Sequence, residues 1–234
     1  MTRIITSFID GEFQPAEGAR LFDKRSPVDG RVIARIAEAP QAEVDRAVCA
    51  ARAALRGDWS RMTVEQRAAM LHAVADEITR RFDDFVAAEM ADTGQPSHVM
   101  THVFIPRGAA NFKIFADVVK NVPTESFRMD TPDGRGALHY AIRKPKGVIG
   151  VICPWNAPFL LMTWKLGPAL ACGNTVVVKP SEETPLTAAL LGEVMAKVGV
   201  PKGVYNVVNG FGPKSTGEFV TTHPQVDAIT FTGE

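Results

Sequence analysis

Asn156, Lys179 and Glu182 are the residues whose types and spacing point to chemistry. Asn156 closes the run Val148-Ile149-Gly150-Val151-Ile152-Cys153-Pro154-Trp155-Asn156, an apolar stretch that ends in a polar loop. Lys179 and Glu182 close Val176-Val177-Val178-Lys179-Pro180-Ser181-Glu182, built the same way. An amide just past a strand can donate a hydrogen bond to a developing oxyanion, and a buried, preorganised donor is worth about 3 kcal/mol in a transition state. The same amide can do no more than hold its own turn. An ammonium with a carboxylate three residues on suits a ribose, whose hydroxyls both donate and accept. A carboxylate on the 2′-hydroxyl would repel a 2′-phosphate, so Glu182 argues for a dinucleotide without one. The competing reading is a surface ion pair of little worth.

Other residues carry weaker signals. Asn209-Gly210-Phe211-Gly212-Pro213 followed by Gly217 looks like a phosphate-type turn. Its spacing departs from G-x-G-x-x-G, and taken alone it reads as a structural turn. Arg107 and Asn111 stand four apart on a predicted helix and share a face. Together they would meet a substrate carboxylate, for which guanidinium geometry is suited, or brace the helix against the sheet. Lys165 follows Trp164 on another predicted helix, where its stem can bridge helix and sheet. His98 and His102 have metal-ligand spacing but no Glu between them and no third ligand in view, so no metal is predicted. Cys153 and Cys172 have no neighbouring His or Lys in sequence to lower their pKa and read as packed small side chains.

These residues need elements to hold them. Phe8-Ile9-Asp10-Gly11-Glu12-Phe13 predicts a hairpin with an Asp-Gly turn. Val44, Ala47, Val48, Ala51 and Leu55 share one face of a helix over 41–56. Thr63 and Gln66 form a capping-box signal. The helix behind it carries a stripe of Leu71, Val74, Ile78, Phe82 and Phe85, with a break near Asp83 and a stop at Gly94. A further helical stretch covers 97–119, so residues 1–120 are expected to be mostly helical apart from N-terminal strands. Pro123, Pro132, Gly134 and Gly136 make 121–136 a loop or crossing segment, and Ala137–Arg143 alternates like a strand. From Gly147 the pattern changes. Strands at 148–152, 175–179, 204–208 and 228–231 alternate with helices at 158–171, 185–198 and 214–222, a rhythm that suits βαβ units of about 30 residues. Continuous apolar strands imply burial on both faces, hence a parallel sheet. The fold class is α/β, a Rossmann-like parallel sheet with flanking helices.

The 234 residues are 46% hydrophobic and 22% charged, with formal net charge +0, which is ordinary globular composition. Charge balance gives no reason to propose nucleic acid or an anionic membrane as partner. The N-terminus lacks a signal-peptide core and no apolar run is long enough to span a bilayer. Three cysteines without paired spacing read as reduced thiols in a cytoplasmic protein.

Together the Pro154-Trp155-Asn156 and Lys179-Pro180-Ser181-Glu182 segments closely resemble the NAD(P)-dependent aldehyde dehydrogenase superfamily. The resemblance implies NAD as cofactor, with Ile152, Pro154, Trp155, Lys179, Ser181, Glu182, Gly212, Gly217, Phe231, Thr232, Gly233 and Glu234 around it. It puts the oxyanion-donor role on Asn156 and a relay or structural role on Lys165. It implies three parts: residues 1–120 with the hairpin and helices, 121–146 with a strand of an oligomerisation arm, and 147–234 as the nucleotide-binding core. A homodimer or homotetramer is the expected assembly. The family's nucleophilic Cys, in a Gly-Gln-x-Cys context, and its general-base Glu, in a Glu-Leu-Gly-Gly context, do not occur in the 234 residues. They are expected after residue 234, so this chain by itself is expected to be inactive. Ile105–Lys113, Leu161–Lys165 and Gly203–Val208 look like a subgroup, the 2-hydroxymuconic semialdehyde dehydrogenases, with Arg107 and Asn111 as candidate substrate ligands. A non-catalytic module that binds NAD or a partner protein is the alternative.

Overall fold

The computed structural model describes residues 3–233. Short strands lead: β1 (Arg3–Ile5), β2 (Phe8–Ile9), β3 (Glu12–Phe13), β4 (Leu21–Arg25) and β5 (Val32–Ala37). β2 and β3 form the expected hairpin, with Asp10 and Gly11 both at positive φ (54° and 82°) in its turn, the requirement that selects Asp-Gly there. β1, β5 and β4 form a separate three-stranded sheet, which the sequence reading did not anticipate. β1 has only three residues, and β4 and β5 run Leu-Phe-Asp-Lys-Arg and Val-Ile-Ala-Arg-Ile-Ala without a period-two alternation, leaving little signal beyond the hairpin.

Helices follow: α1 (Gln41–Ala54), α2 (Asp58–Arg61), α3 (Val64–Arg80), α4 (Phe82–Thr93) and α5 (Ser97–Val99), then a π-helical turn at Met100–Phe104 and α6 (Ile105–Lys120). The capping box at the start of α3 is present, with the Thr63 hydroxyl accepting from the Gln66 N–H and the Gln66 amide oxygen accepting from the Thr63 N–H. α4 ends at Gly94 in the left-handed region. Residues 121–136 are not wholly loop. β6 (Ser126–Met129) pairs antiparallel with β7 (Ala137–Tyr140). Every β6 residue is exposed, so no buried face marked it as a strand.

The remaining elements keep the βα rhythm: β8 (Val148–Ile152), α7 (Pro158–Ala171), β9 (Thr175–Lys179), α8 (Leu186–Val198), β10 (Tyr205–Val207), α9 (Thr216–Thr221) and β11 (Ala228–Phe231). The main sheet has the order β11-β8-β9-β10-β2-β3. Its first four strands are parallel, and the N-terminal hairpin extends the edge antiparallel to β10. All five β9 residues are buried. Val176 and Val178 pack with residues of α3, α7 and α8, whereas Val177 packs with α1. Alternate side chains thus feed two cores, as a strand covered on both faces requires. The chain runs β8, β9, β10 in one direction, then returns to place β11 on the other side of β8. That reversal opens a crevice at the carboxyl ends of β8 and β11, where open α/β sheets bind ligands. No helix among the described residues is long and apolar enough to cross a membrane.

Candidate active site and cofactor cleft

A cleft of about 620 Å³ lies at that reversal. Its walls come from the ends of three strands and one loop. β8 contributes Ile152, Cys153, Pro154 and Trp155, and the end of β9 contributes Lys179, Ser181, Glu182 and Glu183. The loop after β10 brings Gly212, Pro213 and Gly217, and β11 delivers Phe231, Thr232 and Gly233. Eleven of the twelve positions that the resemblance implied for a cofactor therefore share one cavity. The twelfth, Glu234, lies outside the described residues.

Lys179 is buried, and its ammonium donates to Glu182 Oε2 at 2.9 Å. The pair is not a surface decoration. The strand carries the ammonium to the floor of the cleft, and the carboxylate, one-third exposed, faces its opening. A buried ammonium depends on that partner, since removing it leaves an uncompensated charge. In the Gly loop, the Gly217 N–H donates to the Phe211 carbonyl and the Glu218 N–H to the Gly212 carbonyl. A Cβ on Gly217 would sit 3.1 Å from Gly212 Cα, whereas one on Gly212 would meet nothing within 4 Å. Gly217 thus lets the loop close on itself, and Gly212 leaves the cleft side open.

Asn156 does not line the cleft, although its neighbour Trp155 does. The Asn156 side-chain oxygen accepts from the Ala157 N–H (3.1 Å) and its carbonyl accepts from Gln95 Nε2 (2.7 Å). The turn-holding and donor readings are therefore compatible: Oδ1 holds the turn, and Nδ2 has no partner among the described residues. Lys165 lies on α7 with its ammonium near the Leu161 carbonyl (3.3 Å). Partial burial pulls its pKa below the usual ammonium value.

Burial pushes the Cys153 thiol up to about 12, against the pull of the Lys165 and Lys179 ammonium groups. It stays protonated at neutral pH and is no nucleophile. Cys172 departs from the packed reading: it caps the C-terminus of α7 and is exposed beside the Arg67 guanidinium. Arg107 stacks over the Trp164 ring, 5.5 Å from its centroid, while its guanidinium remains exposed. Asn111 is buried and donates to Thr163 Oγ1 (3.0 Å) and the Leu160 carbonyl (3.3 Å). Both residues face α7, as the four-residue spacing implied. The amide of Asn111 braces helix against helix rather than against the sheet. His98 sits on α5 and His102 in the π-helical turn.

The sequence reading missed Glu89, Asp92 and Gln95, which reach the site from α4 and the loop behind it. Glu89 accepts from the Phe159 N–H (3.1 Å) and Asp92 from the Leu186 N–H (2.8 Å), so one helix caps the N-termini of both α7 and α8. A Glu or Asp within a helix ordinarily reads as a solvated face, so nothing in their spacing revealed this.

A model of the aldehyde dehydrogenase family matches residues 13–234. The chain belongs to that family. It is 66% identical over 98% of its length to a 2-hydroxymuconic semialdehyde dehydrogenase of Pseudomonas sp. (strain CF600), covering 47% of that protein. It is 55% identical over 97% of its length to a 2-aminomuconic 6-semialdehyde dehydrogenase of Pseudomonas sp, covering 46% of that protein. Among solved structures, the NAD+ complex of an aldehyde dehydrogenase from Bacillus cereus superposes with TM-score 0.93 at 35% identity, over 99% of this chain and 46% of that one. The chain thus spans about half the length of the curated aldehyde dehydrogenases it matches.

Proposed function

We propose that this chain is the cofactor-binding portion of an NAD-dependent aldehyde dehydrogenase that oxidises a muconic-type semialdehyde to its carboxylic acid. The observation that carries the reading is the Lys179–Glu182 pair at the floor of a cleft built from the carboxyl ends of β8, β9 and β11. A ribose hydroxyl there would donate a hydrogen bond to the Glu182 carboxylate and accept one from the Lys179 ammonium. Glu182 would repel a 2′-phosphate, which favours NAD. The apolar walls Ile152, Pro154 and Phe231 suit flat rings, and the open side of Gly212 suits close approach. Bound NAD supplies the hydride acceptor.

This chain's own part in the chemistry is positioning and charge stabilisation. Nδ2 of Asn156 donates to the oxygen that becomes negative when a thiolate attacks the aldehyde. That thiolate is not Cys153, which remains a thiol. In this reading a Gly-Gln-x-Cys segment elsewhere in the full enzyme provides it. Lys165 is assigned a structural role on α7, with a relay as the lesser alternative. The exposed guanidinium of Arg107 is the candidate for the substrate's carboxylate, and Asn111 supports it by fixing α6 on α7. The β6–β7 hairpin, with Phe127, Leu138 and Tyr140 exposed, is assigned to the oligomer interface of a cytoplasmic homodimer or homotetramer.

The test is to supply the purified native protein with 2-hydroxymuconic semialdehyde and NAD. NADH formation supports the reading. Saturable NAD binding without oxidation favours a non-catalytic module that binds NAD or a partner protein.

A further inference from the structure

α4 and the turn behind it hold the Asn156 loop at both ends. Upstream, the Asn156 carbonyl accepts from Gln95 Nε2 at 2.7 Å. Downstream, the Phe159 N–H, in the first turn of α7, donates to Glu89 Oε1 at 3.1 Å. Gln95 is aimed by its own turn. The chain leaves α4 through Gly94 at φ +67°, and the Gln95 N–H donates to the Thr93 hydroxyl. A Cβ on Gly94 would meet Pro27 at 2.8 Å, so the turn is packed against the N-terminal sheet's loop as well. Glu89 is fully buried, with its second oxygen unpartnered among the described residues. A side chain that costs this much to bury is held by what it positions.

We propose that Gln95 and Glu89 are positioning residues for Asn156, fixing the loop so that the Asn156 amide N–H points at the oxyanion. The inference rests on the donor role proposed above for Asn156. Gln95 supplies the hydrogen bond that stops the 156–157 peptide from rotating, and Glu89 anchors the helix that continues it. Neither touches substrate or cofactor.

The groups that face the Glu89 carboxyl define how it responds to pH. The Phe159 N–H reaches it from α7 and the Thr187 hydroxyl from α8, and Asp92 lies beside it on the same helix, itself faced by the Lys24 ammonium from β4 and by Glu183 from the loop before α8. Burial pushes the Glu89 carboxyl up to about 8. Above that value the anchor becomes a carboxylate at a helix N-terminus, a stronger acceptor for the same N–H.

Two readouts on the native full-length protein test the proposal. One is steady-state kinetics. The other is the indole N–H resonance of Trp155, identified with Trp155→Phe and followed from pH 6 to 10. Gln95→Ala is expected to lower kcat about tenfold with KM for NAD within about twofold, the loss of one orienting hydrogen bond, and to displace the Trp155 resonance. Gln95→Lys restores a donor of similar reach and is expected to recover both. If Gln95→Ala does not fold, Gln95→Glu replaces it, since a carboxylate against a carbonyl loses the bond while keeping the bulk. In wild type the Trp155 resonance is expected to shift with a midpoint of about 8, and Glu89→Gln is expected to flatten that shift. An unmoved resonance and unchanged kcat in folded Gln95→Ala overturn the proposal, as does a pH shift that keeps its full size and its midpoint in Glu89→Gln. If the wild type oxidises no aldehyde, the proposed function fails, and the Trp155 resonance alone decides whether Gln95 and Glu89 hold the loop.

Discussion

Lys179 and Glu182 act through each other. Their 2.9 Å contact keeps a buried ammonium compensated and holds the carboxylate at the mouth of the cleft. Glu182→Gln retains an oxygen for Lys179, so the fold should survive. The repulsion of a 2′-phosphate should fall, with NADP gaining about tenfold on NAD in a competitive titration. Asn156→Ala should lower kcat by about 10²–10³ while leaving NAD binding unchanged, the signature of a donor used only in the transition state. Glu89 governs a stability effect with a definite sign. Its folded-state pKa of about 8 lies above the unfolded value of 4.5, so the native state holds a proton the unfolded chain has lost. Its contribution to stability is therefore intact below the unfolded value, falls as pH rises between the two, and levels off above the upper one, with a slope of up to ~1.4 kcal/mol per pH unit. Glu89→Gln should lower the slope of urea-unfolding measurements made across the interval by that amount, leaving the part of the same sign that comes from the buried Asp92 carboxyl. The motif residues were legible because they punctuate apolar strands. Glu89 and Gln95 were not, because a helical acid and a loop amide look like solvated polar groups until the packing around them is known.

At the scale of elements, the βα alternation from Val148 to Phe231 was readable because apolar runs such as Val148–Ile152 and Val176–Val178 recur between stretches of helical period. The start of α3 was readable from Thr63 and Gln66 alone. Thr63→Ala should cost about 1 kcal/mol in thermal or chemical unfolding, the worth of an N-cap. β1 escaped because it has three residues, β4 and β5 because neither keeps a period-two pattern, and β6 because both its faces are wet. Gly203 shows how strictly one junction is set. It enters β10 at φ +79°, and a Cβ there would lie 2.4 Å from the Ala50 carbonyl oxygen. Gly203→Ala should cost about 1–3 kcal/mol from backbone strain alone, with further loss as α1 is pushed off the sheet.

For the whole molecule, strand order decides where chemistry sits. β11 returns to the far side of β8, and the crevice so formed collects residues far apart in sequence. The family resemblance gathered these residues around one cofactor, whereas local pattern alone could not, since their sharing one cavity depends on strand order, which no local pattern encodes. The exposed β6–β7 hairpin is the other feature of this scale. Phe127→Ser with Leu138→Ser should lower the oligomeric state in sedimentation experiments if that surface is an interface between subunits.

The central claim is that the cleft between β8, β9 and β11 takes NAD by its ribose. Calorimetric titration of the folded protein with NAD and with NADP tests it most directly. Saturable binding at one site, with NADP at least about tenfold weaker, is the predicted result. A folded protein that binds neither, or that binds NADP as tightly as NAD, would contradict it.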